Sequence, residues 1–252
     1  MSRVVYIHDE RDHPLKDSEE MLPLLFSRLK PKTVIDVGCG IGTFLNTAQK
    51  LGAEQIVGVD GDWVDREKLR RNIALDYFVP ITLTESLSGS FGRFDLAICL
   101  EVAEHLPESS AETLVESLVS LSDIILFSAA IPGQGGQNHI NEQWPGYWAA
   151  LFKEQDYLFA DVIRPLIWDN DDISYWYRQN TFLVVKQDRK ELLAAFSENW
   201  SEGRSEPLRL VHPALFEHIP EPEERLQRIY AGKLKRRAYL YLFGKSLFRK
   251  KD

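Results

Sequence analysis

Three glycines spaced two apart, Gly38, Gly40 and Gly42, follow the apolar run Val34–Val37 and lead into Thr43 and Phe44. Glycines so placed let the chain turn tightly and leave no side chain in the way of a ligand. A helix opening at Thr43 would add free N–H groups and a partial positive charge. Two carboxylates flank the turn. Asp36 lies inside the apolar run, and Asp60 ends the next one, Ile56–Val59. An acid in that second place can accept from both hydroxyls of an adenosine ribose. A dinucleotide turn has the spacing G-x-G-x-x-G and must receive a pyrophosphate. Here the spacing is G-x-G-x-G, and Asp36 adds negative charge. A pyrophosphate is disfavoured; a ligand with an ammonium or sulfonium centre is not.

A second group of reactive residues lies further along. Glu101-Val-Ala-Glu104-His105-Leu-Pro107 ends another apolar run, and His139 follows a Gly/Gln-rich loop that opens at Pro132. Ligands of doubly wound sheets sit at the carboxyl ends of the strands, so both histidines are expected near the mouth of a site. His139 is a candidate general base or acceptor ligand, with loop anchor as the alternative. His105 is a second candidate, with a hydrogen-bonded structural role as its alternative. Trp144 and Tyr147 offer aromatic faces for a sugar ring, and Arg178 and Asn180 offer donors for hydroxyls or phosphate. On strand alternation Trp176, Arg178 and Asn180 share one face, and Tyr177 and Gln179 the other. Cys39 and Cys99 read as small buried fillers rather than nucleophiles. Neither pairs with a His at zinc-ligand spacing, and no metal site is expected.

Alternating helix and strand patterns from residue 17 to about 128 must position these groups, which argues for parallel βαβ units. Asp17, with Glu20 three residues on, is expected to cap a helix that runs to Leu29. Strands are expected at Thr33–Val37, Ile56–Val59, Phe78–Leu83, Phe94–Leu100 and Asp123–Phe127, with Pro80 counting against the third. Helices are expected at Thr43–Leu51, from a Ser109/Glu112 capping box to Leu121, and from Pro145. Two later strands, Tyr157–Ile163 and Thr181–Val185, follow. Residues 190–252 read as helices broken by Pro207, Pro213, Pro220 and Pro222.

The glycine turn resembles motif I of the class I S-adenosylmethionine-dependent methyltransferases. Asp60 and the Glu101–Pro107 segment are similar to their counterparts there, and the resemblance runs from Asp17 to Val185. It implies an α/β, doubly wound Rossmann-like sheet with a terminal antiparallel strand, and S-adenosyl-L-methionine as cofactor. By this resemblance Asp36 and the Gly38-Cys39-Gly40-Ile-Gly42 backbone hold the methionine part. Asp60, with Gly61 and Asp62, takes the ribose. Thr82 stands where many members carry an adenine-binding acid, which leaves that contact to Leu83 backbone groups. Glu101 belongs to the cofactor side. The segments Ile131–Trp148 and Trp176–Asn180 resemble a bacterial subgroup tied to sugar and surface-polysaccharide biosynthesis. The implied reaction is methylation of a hydroxyl on a sugar, nucleotide-sugar or glycan intermediate. Methylation of an amine or carboxylate is the alternative, as is a non-catalytic cofactor-binding subunit.

Composition bounds the partners. The 252 residues carry 30 Lys+Arg and 38 Asp+Glu, a formal charge of −8. Lys233–Asp252 holds eight basic residues and one acid, about +7, so the rest stands at −15. An acidic body is a poor non-specific binder of nucleic acid, and none is expected as a partner. The basic, apolar tail could contact a membrane surface peripherally or dock as a helix. The absence of a long apolar run or signal-like start makes cytoplasmic the expected location. The expected division is a methyltransferase domain over 1–188 and a helical extension over 189–252. The oligomeric state stays open.

Overall fold

A computed structural model describes residues 15–196 and 210–218. The chain opens with helix α1 (Leu15–Leu29), strand β1 (Thr33–Val37), α2 (Thr43–Lys50), β2 (Gln55–Asp60), α3 (Arg66–Asn72), β3 (Phe78–Pro80) and β4 (Leu96–Leu100). It continues with α4 (Ala111–Leu121), β5 (Ile124–Ser128), α5 (Pro145–Glu154), β6 (Tyr157–Ala160), α6 (Arg164–Ile167), α7 (Tyr175–Asn180) and β7 (Phe182–Lys186). Seven strands form one sheet in the order β3-β2-β1-β4-β5-β7-β6. β7 runs antiparallel to both of its neighbours, and every other pairing is parallel. The order reverses between β1 and β4, so the crevice of a doubly wound sheet opens where β1 and β4 end. This is the expected fold.

The strands are apolar on both faces because helices cover both. Val34, Ile98, Leu126 and Leu183 face α1 and α2 through Met21, Leu22, Leu25 and Leu45. Their neighbours Ile35, Ala97, Cys99, Phe127 and Val184 face α4 and α5 through Leu114, Leu118, Trp148 and Phe152. Phe127 is the hub of the second layer, with ring centroids 5.5 Å from Trp148, 5.2 Å from Phe152 and 6.0 Å from Phe159. Truncating so enclosed a ring leaves a cavity that the rigid sheet cannot close. Phe127→Ala is therefore expected to cost about 3–5 kcal/mol, read as a lower urea midpoint at unchanged slope.

Several expectations give way. Asp17 is not a cap, since α1 begins at Leu15; it is buried and accepts from Ser174 N (2.6 Å) and Ser174 Oγ (2.8 Å). The Ser109/Glu112 box is replaced by a 3-10 turn at Glu108–Ser110, and Ser110 opens α4 without a side-chain cap. The third strand stops at Pro80, on the sheet edge where a missing N–H costs least. Helix α3 was not expected; its N-cap Asp65 accepts from Glu67 N (2.9 Å) and Lys68 N (3.1 Å). The stretch read as a strand around Trp176 is α7, so the face assignment made for Arg178 and Asn180 does not hold. Leu193 and Phe196, on a 3-10 segment after β7, join the first core layer, and the compact unit runs to His212. A second unit begins at Pro213 with α8 (Pro213–His218); the basic tail lies outside the described residues. Among the described residues no helix is long and apolar enough to cross a membrane.

Candidate functional site

A cleft of about 850 Å³, the open solvent at its mouth included, lies at the carboxyl ends of β1, β2 and β4. Its floor is the turn after β1, where Gly38 N (2.8 Å) and Cys39 N (3.2 Å) both donate to Val59 O. Gly38 sits at φ +85°, and a Cβ there would fall 2.3 Å from Val102 Cγ2. Asp36 is 4% exposed and registers with Gly58 on one side and Ile98 on the other. Burial, reinforced by the Asp60 charge, pushes its carboxyl well up. Asp60 accepts from Gly40 N (2.9 Å) and Gly61 N (2.6 Å), which aims the carboxylate across the turn. Burial outweighs those bonds and raises it to about 6. Both cysteines are buried, and burial drives their thiols up, so neither is a ready nucleophile.

The far wall begins at Glu101, the residue after β4, whose φ of +53° is a strained conformation for a non-glycine residue. Its N–H donates to Ser128 O (3.1 Å) and Ser128 Oγ (3.0 Å). Its carboxylate accepts from Gln134 Nε2 (2.8 Å) and Asn180 Nδ2 (3.0 Å), and Asn180 Nδ2 also donates to Gln134 Oε1 (2.8 Å). Ile140 N (2.8 Å) and Asn141 N (3.1 Å) donate to the carbonyl of Glu104, pinning the loop after β5 against the loop after β4. That contact brings the His139 ring to 4.9 Å from the His105 ring, edge to face. His139 Nδ1 lies 3.0 Å from Glu142 Oε1, and Glu142 also accepts from Gly133 N and Gly135 N, both at 2.8 Å. Burial would raise Glu142, but the His139 bond and the two amides outweigh it and hold the carboxyl down. Burial raises Glu101, and burial together with the Glu101 charge raises Glu104 further.

Among the described residues no Lys or Arg lines the cleft. Two buried carboxylates and an apolar wall of Leu83, Leu100 and Val102 suit a cationic ligand bearing a ribose and a flat base, and would repel polyphosphate. Residues 8–124 match the family model described as "Methyltransferase domain". By that match residues 8–124, just under half of the chain, are a methyltransferase domain. Its cofactor is S-adenosylmethionine, whose charge and ribose fit Asp36 and Asp60. Over 101 residues the chain is 38% identical to the ribosomal protein L11 methyltransferase of Thermotoga petrophila, a stretch covering 37% of each protein. It is 32% identical over 101 residues to the ubiquinone biosynthesis O-methyltransferase of Colwellia psychrerythraea, covering 38% of this chain and 40% of that one. The chain thus spans little more than a third of the length of these curated relatives. Magnesium protoporphyrin IX methyltransferase from Synechocystis PCC 6803, solved with bound S-adenosylmethionine, shares the fold. Its TM-score is 0.52 at 18% identity, over 71% of this chain and 82% of that one.

Asp36, Gly38, Cys39, Asp60, Thr82, Leu83, Glu101 and His105 all line the cleft. Gly40 and Gly42 do not line it; Gly40 N serves Asp60, and Gly42 is the left-handed N-cap of α2. Gly61 acts through its N–H, and Asp62 turns outward to Arg66 at 2.9 Å. His139 lies behind His105. The expected acceptor residues fare differently. Trp144 is the N-cap of α5, and Tyr147 packs on Trp148 with Glu108 and Glu112 nearby; neither lines the cleft. Arg178 is buried and bonded to Asp171 at 2.8 Å, so it is spent on the fold. Asn180 does not line the cleft and is bonded to Glu101 and Gln134. Trp63, Phe44 and Tyr177 line the cleft without having been anticipated. Tyr175 stands close enough to Glu101 and Glu142 that burial and their charges push its hydroxyl up to about 12.

Proposed function

We propose that the protein transfers a methyl group from S-adenosylmethionine to a hydroxyl of a small acceptor that is not itself an anion. The observation carrying this is the polar cluster of Glu101, Glu104, His105 and His139 where the cleft meets the loop after β5. When bound, the cofactor supplies an electrophilic methyl carbon on a sulfonium. Asp36 and Asp60 supply the counter-charge and the ribose acceptors. Leu83, Leu100 and Val102 exclude water, and Gln134 and Asn180 hold Glu101 in its strained position. Two buried carboxylates at the mouth disfavour a carboxylate acceptor. A hydroxyl must shed its proton as the new bond forms, and His105 and His139 are the candidates to take it.

Among hydroxyl acceptors, a sugar or nucleotide-sugar is the class to test first. It rests on the resemblance of the Ile131–Trp148 and Trp176–Asn180 segments, and no longer on stacking on Trp144 or Tyr147, which do not line the cleft. The test is incubation with S-adenosylmethionine and a panel of nucleotide-sugars and glycans, read by mass spectrometry as a gain of one methylene with release of S-adenosylhomocysteine. Cofactor binding without release from any acceptor would favour a non-catalytic subunit. His139→Ala is expected to leave cofactor affinity unchanged and to cut turnover at least about tenfold, within the span of acid–base contributions. Unchanged turnover would remove His139 from the mechanism.

A further inference from the structure

We propose that Glu104, His105 and His139 form a site for one divalent transition-metal ion, and that this ion holds the acceptor through its oxygen atoms. The second half rests on the methyl-transfer reading; the ion site does not.

Each of the three residues offers one donor atom, and these atoms lie within 4.8 Å of one another. Ligands about 2.1 Å from a shared ion stand roughly 3 Å apart when adjacent and about 4.2 Å when opposite, so a small inward closure completes the set. One carboxylate and two imidazoles suit manganese, iron or zinc better than magnesium or calcium, which prefer all-oxygen shells. Three protein ligands leave positions open for a substrate.

Two independent features point to a cation there. Glu104 is wholly buried, and neither of its carboxylate oxygens makes a hydrogen bond of normal geometry. The Glu101 carboxylate is its close neighbour, and among the described residues no Lys or Arg pairs with either. A buried carboxylate is ordinarily paired, protonated or bound to metal, and here the adjacent side chains of His105 and His139 are metal donors. The second feature is the bond from His139 Nδ1 to Glu142, a carboxylate itself fixed by the Gly133 and Gly135 amides. A ligating histidine usually donates its other ring N–H to a carboxylate in this way, which fixes the tautomer and leaves Nε2 for the ion. Glu104 and His105 come from the loop after β4, and His139 comes from the loop after β5. The bonds of Ile140 and Asn141 to the Glu104 carbonyl hold the two loops together.

Such an ion would sit beside the cleft, because His105 lines it. A hydroxyl binding at an open position would lose its proton to solvent more readily than in water. His139 would then act as a ligand rather than as the base itself.

The test is calorimetric titration of the full-length, EDTA-stripped protein with MnCl2 and with ZnCl2, without cofactor or acceptor, alongside the EPR spectrum of bound Mn2+. About one tight site per chain is expected, with metal raising the thermal midpoint by linkage. His139→Ala should abolish that site, and Glu142→Gln should weaken it by about 10–100-fold. Unchanged circular dichroism and unchanged S-adenosylmethionine affinity would show that both variants are folded. No stoichiometric binding, or binding indifferent to His139→Ala, would overturn the ion site. Metal binding with turnover unaffected by EDTA would overturn the acceptor role alone. Metal binding without any release of S-adenosylhomocysteine would count against the methyl-transfer reading and leave the ion site standing.

Discussion

Asp60→Asn is expected to bind S-adenosylmethionine on the order of 100-fold more weakly than the wild type at pH 7.5. Two hydrogen bonds to an ionised acceptor contribute about 1.5–3 kcal/mol each, and the amide offers neither the charge nor the second acceptor. The same substitution should not damage the ligand-free fold in proportion, because the carboxylate is itself a burden there. Burial raises Asp60 to about 6. Holding it ionised at pH 7 costs the ligand-free fold about 3 kcal/mol relative to an ordinary aspartate.

The pH dependence has opposite signs for stability and for binding. In the ligand-free protein the folded state holds the Asp60 proton more tightly than the unfolded state between about pH 4 and 6. The stabilisation from protonation is therefore complete below about pH 4 and is lost as pH rises through 6. Asp17, Asp36, Glu101 and Glu104 are raised as well and add in the same direction. A ribose contact needs the ionised carboxylate, so cofactor affinity should start to fall below about pH 6, with a slope approaching tenfold per pH unit for this one proton. Calorimetry across pH 4.5 to 7.5 on wild type and Asp60→Asn checks both slopes. If wild-type affinity stayed flat from pH 7.5 to 5, Asp60 would not be the ribose acceptor.

These acids were legible in the sequence because their neighbours along the chain define them. A buried strand, a glycine turn and a helix occupy consecutive residues, so Asp36 and Asp60 could be placed from local pattern alone. The apolar run before Glu101 and the Pro at the start of α5 were readable for the same reason. Helix α3 was not, because among its charged residues only Leu69 is buried, which is too weak an apolar stripe to register. Helix α7 was misread because Tyr175, Trp176 and Tyr177 favour strands intrinsically, and tertiary packing overrode that preference. Arg178 looked free because its partner Asp171 lies on the preceding loop, and no spacing rule announces that pair. The metal-competent cluster was hidden for a similar reason. Its halves sit on two loops, which long-range bonds to the Glu104 carbonyl and the Glu101 carboxylate bring together.

Gly38 closely faces Val102 at the floor of the cleft, and a single added methyl there should do marked harm. Gly38→Ala must adopt φ +85°, which costs an L-residue about 1–2 kcal/mol. It must also place a carbon 2.3 Å from Val102 Cγ2, where no real contact can exist. Relieving that overlap pushes either the turn or the loop after β4 out of place, at a further cost of about 1–3 kcal/mol. Both walls line the cleft, so cofactor affinity should fall together with stability. The two costs separate in a double variant. Val102→Ala removes the clashing methyls and should restore the packing part of the loss, while the backbone part persists. Gly38→Ala/Val102→Ala is therefore expected to be more stable than Gly38→Ala alone, yet less stable than Val102→Ala. Urea melts of the four proteins measure the coupling. Simple additivity would mean that the turn after β1 moves away from Val102, and that this contact does not shape the cleft.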